Sequence, residues 1–308
     1  MQNPHDHKKF QRAAIILASG DGYHRYTSAE FTTRQSVPQR FWTITGHENP
    51  LEETIHSVAR LVPLQSAAIV VNRAHREVCD RMVGVPSSSI VAQPASRGSI
   101  PEILYGLRRL ARFGRNTIVA VFPCTHFFHM NDRLIRYVEE AMATVEASPS
   151  LSIVLGITPT SSESAFGWIE PGEPAYPTSV SIFRVSRFWR KPPADLAAKL
   201  SLEGWLWNSH IMIAPAPRLQ EMIAECVPEL YVAFNAAFAS LNDDRDWMAV
   251  DSLYGDMGTY EFSEEVLSRC PRDLVVKRID DVGRNNCIAE ASPSEHVRNF
   301  LNQPTDAR

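Results

Sequence analysis

Short unbroken apolar runs alternate along this chain with segments whose apolar residues return every third or fourth position. The runs at 13–17, 67–71, 89–92, 117–122 and 151–157 have the length and continuity of strands buried on both faces. Between them lie helical spacings. Leu51, Ile55, Val58 and Ala59 share one face of a helix over 50–61, and Ile103, Leu104, Leu107, Leu110 and Ala111 one face of a helix over 99–112. A helix over 74–82 and another capped by Asn131, with Leu134, Val138, Met142 and Val145 in register, complete this half. Asn49-Pro50-Leu51-Glu52 and Ser99-Ile100-Pro101-Glu102 both read as capping boxes. Such alternation specifies an α/β fold, a mostly parallel central sheet flanked by helices on both faces. Ligands of these sheets lie beyond the carboxyl ends of the strands, so the loops after Leu17, Ala92 and Phe122 should share one rim.

The pattern changes after Ile157. A polar link at 161–165 leads to strands at 166–170 and 180–188, separated by the Pro/Gly-rich 171–177. A helix is expected at 194–200, an aromatic and polar stretch at 204–210, an apolar one at 211–214 and a helical one over 215–241. The acidic 243–256 reads as a surface loop plus a short helix, 274–276 as a last strand and 280–283 as a turn. One domain over 13–290, with halves 13–157 and 158–290, is expected between a polar lead-in (1–12) and a tail (291–308) that frays at its end.

Composition narrows the function. Hydrophobic residues make up 44% and charged residues 21% of the 308, the balance of a globular protein in water. A net charge of −4 argues against a broad nucleic-acid surface. Arg108, Arg109 and Arg112 read as a solvated helix face, and Trp189, Trp205 and Trp207 as packing rather than a stacking platform. No apolar run approaches the roughly 18 residues of a membrane span, and the first 12 residues carry no signal-peptide core. Five cysteines without a C-x-x-C pair favour reduced thiols in the cytoplasm over a disulfide or zinc framework.

The first strand runs straight into Ala18-Ser19-Gly20-Asp21-Gly22. A small, glycine-rich turn there exposes main-chain N–H groups that suit phosphate. It is not the dinucleotide fingerprint, because Arg25 stands at the third-glycine position, and no Gly-Lys pair of a P-loop occurs anywhere. A nicotinamide or flavin oxidoreductase is therefore disfavoured.

Six segments, in order, carry a family resemblance: Ile15-Ile16-Leu17-Ala18-Ser19-Gly20-Asp21-Gly22; Pro38-Gln39-Arg40-Phe41; Gln93-Pro94-Ala95-Ser96-Arg97 with Pro101; Pro123-Cys124-Thr125-His126; Phe166-Gly167-Trp168-Ile169-Glu170 with Arg190-Lys191-Pro192; and Trp207-Asn208-Ser209. Asp280-Asp281-Val282-Gly283 is a seventh. On these the chain resembles the sugar-1-phosphate nucleotidyltransferases, most closely the mannose-1-phosphate guanylyltransferases. The resemblance implies a Rossmann-like, GT-A-like fold with a smaller sugar-side β-region. It implies transfer of a nucleotidyl group, GMP from GTP, to a hexose 1-phosphate such as mannose 1-phosphate, with release of pyrophosphate. Leu17, Ala18, Ser19, Gly20, Gly22, Gln93 and Arg97 then fall on the nucleotide side. Gly167, Trp168, Lys191 and Asn208 fall on the sugar-phosphate side, and Asp281 on a ligand of Mg²⁺. The resemblance leaves room for a homo-oligomer.

Three expected catalytic positions of the family pattern are changed. His24 replaces an arginine, Gln39 a lysine and Thr125 a metal-binding aspartate; Arg190 also replaces a glutamate. Arg25 and Arg40, each one residue away, are the nearest replacement cations, so the catalytic set implied is Lys191, Arg25 and Arg40. Losing one transition-state donor costs about a hundred- to a thousandfold in rate. A catalytically impaired relative that binds a nucleotide or nucleotide sugar is the alternative. His126 and His129 flank the missing aspartate, but read as polar loop residues rather than a metal pair, and Cys124 as a small apolar one.

Overall fold

The computed structural model describes residues 10–20, 50–81, 84–124, 131–177, 179–239 and 248–282. The apolar runs of the first half form β1 (Gln11–Ala18), β2 (Ala67–Asn72), β3 (Ile90–Gln93) and β4 (Thr117–Pro123). β1 lies between β2 and β4, parallel to both, and β3 pairs parallel to β2. The second half adds β5 (Ile153–Ile157), β6 (Gly167–Pro174), β7 (Ile182–Arg190), β8 (Leu206–Pro215) and β9 (Val275–Ile279). Among the described residues they make one nine-stranded sheet of order β3-β2-β1-β4-β8-β5-β9-β7-β6. β8 runs against β4 and β5, and β7 against β6 and β9, so the parallel expectation holds with two strands reversed. A further pairing of β6 with β8 closes the last five strands on themselves.

Two cores follow from the period-two alternation of each strand. Ala14, Ile16, Ile69, Val71, Ala120 and Phe122 face one side, under α1 (Pro50–Ala59) and α4 (Asp132–Ala147). Ala13, Ile15, Ala68, Val70, Val119 and Val121 face the other, under α3 (Ser99–Leu110), α6 (Ala216–Cys226), α7 (Pro228–Ala239) and α8 (Met248–Asp256). Each fully buried Ile or Val contributes about 1.5–3 kcal/mol relative to exposure. Two further helices, α2 (Arg76–Asp80) and α5 (Ala194–Leu202), lie beyond β2 and β7 in the chain. No described helix is long and apolar enough to cross a membrane.

Several boundaries differ from the sequence reading. The helical stretch 215–241 is two helices, broken before Pro228, whose missing N–H suits a first turn but not a helix interior. β6 continues through Pro171 to Pro174 across register shifts, because bulges tolerate proline that a regular ladder does not. β8 begins at Leu206, inside the stretch read as aromatic and polar. The capping box at Ser99 does not form: Gly98 is the N-cap, and the Ser99 hydroxyl donates to Glu261 Oε2 at 2.7 Å. Asn131 does cap α4, accepting from Leu134 N at 3.0 Å, whereas Asn49 lies outside the described residues. Arg108, Arg109 and Arg112 do more than face solvent, since they donate to the carbonyls of Phe238, Ser88 and Gln65. Trp205 and Trp207 are buried as expected, but Trp189, paired with Trp168 of β6, is 45% exposed.

Candidate active site

β1 lies inside the sheet, and its last residues are fixed there. Cys124 N donates to Leu17 O at 3.1 Å, and Ala18 and Ser19 are fully buried. Gln93, at the end of β3, is also fully buried. Its amide nitrogen donates to Ser19 Oγ, and its Oε1 accepts from the Tyr254 hydroxyl at 2.9 Å. Burial, and then the nearby Tyr105 and Glu102, raise the Tyr254 pKa, so the phenol stays a donor. Arg97 Nε donates to Tyr254 O at 2.8 Å, and Tyr260 N donates to Arg97 O at 2.9 Å. Gly98 has φ 87°, and a Cβ there would stand 2.7 Å from the Tyr260 carbonyl carbon, so glycine is required. The Gln93–Ser99 loop is thus bolted to 254–262, with Phe262 N donating to Ser99 Oγ at 2.8 Å.

The second half of the rim is built by register. Gly167 pairs with Arg190, Trp168 with Trp207, and Gly156 with Asn208. A Cβ on Gly167 would meet the Phe188 ring at 2.6 Å and Asn208 Cβ at 3.6 Å. Strand alternation turns Trp168 and Trp207 together into the core, ring centroids 6.0 Å apart, with Trp168 Nε1 donating to Glu163 O at 3.1 Å. The Trp168 ring is therefore on the side opposite Asn208. Ser209 also turns away, its hydroxyl donating to Leu155 O at 2.7 Å. Asn208 and His210 share the remaining face. Asn208 Oδ1 accepts from His210 N at 3.0 Å, and its Nδ2 stands 3.4 Å from His210 Nδ1. Lys191 N donates to Phe166 O at 3.2 Å, and its side chain is exposed. His210 keeps an edge in solvent, but protein crowds the ring; that desolvation, and then the Lys191 charge, lower its pKa below the ordinary histidine value.

Two residues of this edge carry backbone strain. Among the described residues, the non-glycine positions with positive φ are Lys191 (42°), His210 (61°) and Asp281 (52°). Each such position costs on the order of 1–3 kcal/mol, less for Asp, and such residues cluster at functional sites. Asp281 follows β9 and holds Arg133 Nη1 at 3.1 Å, while Asp280 accepts from Thr158 Oγ1 at 2.5 Å. The two halves of the rim meet at a cavity of about 40 Å³ lined by Leu17, Ser99, Asn208, His210 and Phe262.

The expected residues therefore fall into two groups. Leu17, Ala18, Ser19, Gly20, Gln93 and Arg97 stand together at the ends of β1 and β3, and Gly167, Lys191 and Asn208 at the junction of β6, β7 and β8. Gly22, His24, Arg25, Gln39, Arg40, Thr125, His126 and His129 lie outside the described residues. No cluster of three His, Cys, Asp or Glu occurs among the described residues. Mg²⁺ needs only one or two carboxylates when substrate phosphates and water complete its octahedron. The Asp281 side chain, 76% exposed and paired with Arg133, can offer one such carboxylate once released from that pair. Sequence reasoning missed His210, Tyr254 and Glu261. Period-two alternation from Asn208 would have found His210; Tyr254 and Glu261 carry no local signal.

A model of the family described as Nucleotidyl transferase matches residues 13–275. The mannose-1-phosphate guanylyltransferase of Escherichia coli is 23% identical over 296 residues, covering 93% of this chain and 61% of that protein. The alginate biosynthesis protein AlgA of Pseudomonas putida is 25% identical over 285 residues, covering 90% of this chain and 54% of that one. The chain thus spans a little over half the length of the curated relatives it matches. A crystal structure from Thermus thermophilus, described as mannose-1-phosphate geranyltransferase, superposes with TM-score 0.71 at 21% identity, covering 87% of this chain and 74% of that one.

Proposed function

We propose, from the premise that this chain belongs to the nucleotidyl transferase family, that it joins a nucleoside triphosphate to a hexose 1-phosphate and releases pyrophosphate. The names of its relatives favour GTP and mannose 1-phosphate. The observation that carries this reading is Lys191, an exposed cation held at φ 42° beside Gly167 and Asn208.

In the proposed reaction a phosphate oxygen of the sugar 1-phosphate attacks the α-phosphorus. The new P–O bond forms as the bond to the β-phosphate bridging oxygen breaks, and pyrophosphate carries that electron pair away. The transfer needs two anions held in line and their charge offset. Main-chain N–H groups past Ala18 would hold the triphosphate. Lys191 would hold the sugar phosphate, with Asn208 beside it for a sugar hydroxyl. Asp281 would hold Mg²⁺, which supplies charge neutralisation on the phosphates when bound. Arg25 and Arg40 are the proposed cations for the triphosphate.

Mixing the protein with GTP, mannose 1-phosphate and Mg²⁺ should release pyrophosphate and form the nucleotide sugar. UTP, dTTP, ATP and glucose 1-phosphate test base and sugar choice. Silence across all combinations, from folded protein, would remove the reading.

A further inference from the structure

Away from the rim, two thiols meet. Cys226 is the last residue of α6, and Cys270 follows the π-helical turn Ser263–Leu267. Their Sγ atoms are 2.8 Å apart across 44 residues of chain. Non-bonded heavy atoms ordinarily pack about 3.5–4.0 Å apart, so this pair is pressed together. Other contacts hold both elements without help from sulfur. Cys270 N donates to Val266 O at 2.8 Å, Arg218 on α6 pairs with Asp273 at 3.0 Å, and Arg269 donates to Cys226 O at 3.4 Å. Both cysteines are partly exposed, so a small reagent can reach them.

We propose that Cys226 and Cys270 form a reversible disulfide, with a low-molecular-weight disulfide as the oxidant. Burial, and then the contact with Cys270, raise the Cys226 pKa; either thiol can start the exchange with the same products, as in the route that begins at Cys270. Its thiolate attacks one sulfur of the oxidant, forming a mixed disulfide and releasing one small thiolate. Cys226 then loses its proton, attacks Cys270 Sγ and releases the second small thiolate. The protein loses two electrons and two protons, and the external disulfide becomes two thiols. The new bond ties α6 to the segment whose Phe262, Ser263 and Leu267 line the rim cavity.

The experiment treats the folded chain with oxidised glutathione, alkylates the remaining thiols and maps the peptides by mass spectrometry. A linked Cys226–Cys270 peptide pair is expected, reversed by dithiothreitol. Closing a loop of this length should raise Tm by roughly 3–8 °C, and neither Cys226→Ser nor Cys270→Ser should show that rise. Should a serine variant misfold, wild type alkylated before oxidation is the control. Separate glutathione adducts, untouched thiols, a linkage involving Cys79, Cys124 or Cys287, or a fall in Tm would each overturn the proposal.

Discussion

The two ends of the rim solve opposite problems. At the ends of β1 and β3, Gln93, Ser19, Tyr254 and Arg97 satisfy one another, and Gln93 and Ser19 have no exposed surface. Where β6, β7 and β8 meet, Lys191 and His210 hold left-handed backbone and present side chains to solvent. A closed polar network rigidifies a fold, because each of its members would be costly to leave unpaired. Strained, open residues cost stability and persist where a ligand uses them. Substitutions at the first end should therefore move stability, and substitutions at the second should move activity.

The largest expected effect tests the second end. Lys191→Met should lower kcat/KM for the sugar phosphate by about a hundred- to a thousandfold, as loss of a transition-state donor does. Stability should stay within about 0.5 kcal/mol, the usual range for an exposed position. Parallel pyrophosphate assays and urea melts check both halves; a stability loss matching the activity loss would break the contrast.

At the first end, Gly98→Ala should cost about 2–4 kcal/mol in urea unfolding. The substitution adds left-handed strain to a clash with Tyr260 backbone that no rotamer relieves. Gln93→Ala should cost about 1–3 kcal/mol by leaving the buried Tyr254 hydroxyl without its acceptor. Tyr254→Phe should cost less, near 1 kcal/mol, and the double variant less than the sum, since both remove one hydrogen bond. Additive losses would mean that the network is not one unit.

How much of this was readable beforehand depends on the range of the interactions. The strands of the first half were legible because strands buried on both faces are continuous apolar runs, and the helices because their stripes repeat locally. β8 was half hidden: Trp207 and Ser209 turn one way and Asn208 and His210 the other, so its start looks mixed rather than apolar. Ser99 has every local mark of a capping box, yet its hydroxyl goes to Glu261, 162 positions away. Tyr254 closes the Gln93 network from 161 positions away. Motif order did pick out Gly167, Lys191 and Asn208, but only strand register brings them together.

The smallest effect isolates strain from charge at His210. His210→Gly removes a Cβ from left-handed backbone and should stabilise the fold by about 1 kcal/mol, while lowering turnover if the ring faces substrate. His210→Asn keeps a side chain that tolerates that backbone and removes only the titration. The sign follows from the lowered pKa. Between the unfolded value of 6.5 and the folded value near 4, the unfolded chain binds the proton and the folded chain does not. The histidine therefore withdraws stability as pH falls through that window, by an amount that solvent at its open edge keeps small. Melts of wild type and His210→Asn at pH 7 and pH 5 should show the variant gaining relative to wild type at pH 5. An unchanged gap would mean that the ring titrates as freely folded as unfolded. The crowding inferred around it would then be absent, and the open end of the rim would be more open than its contacts imply.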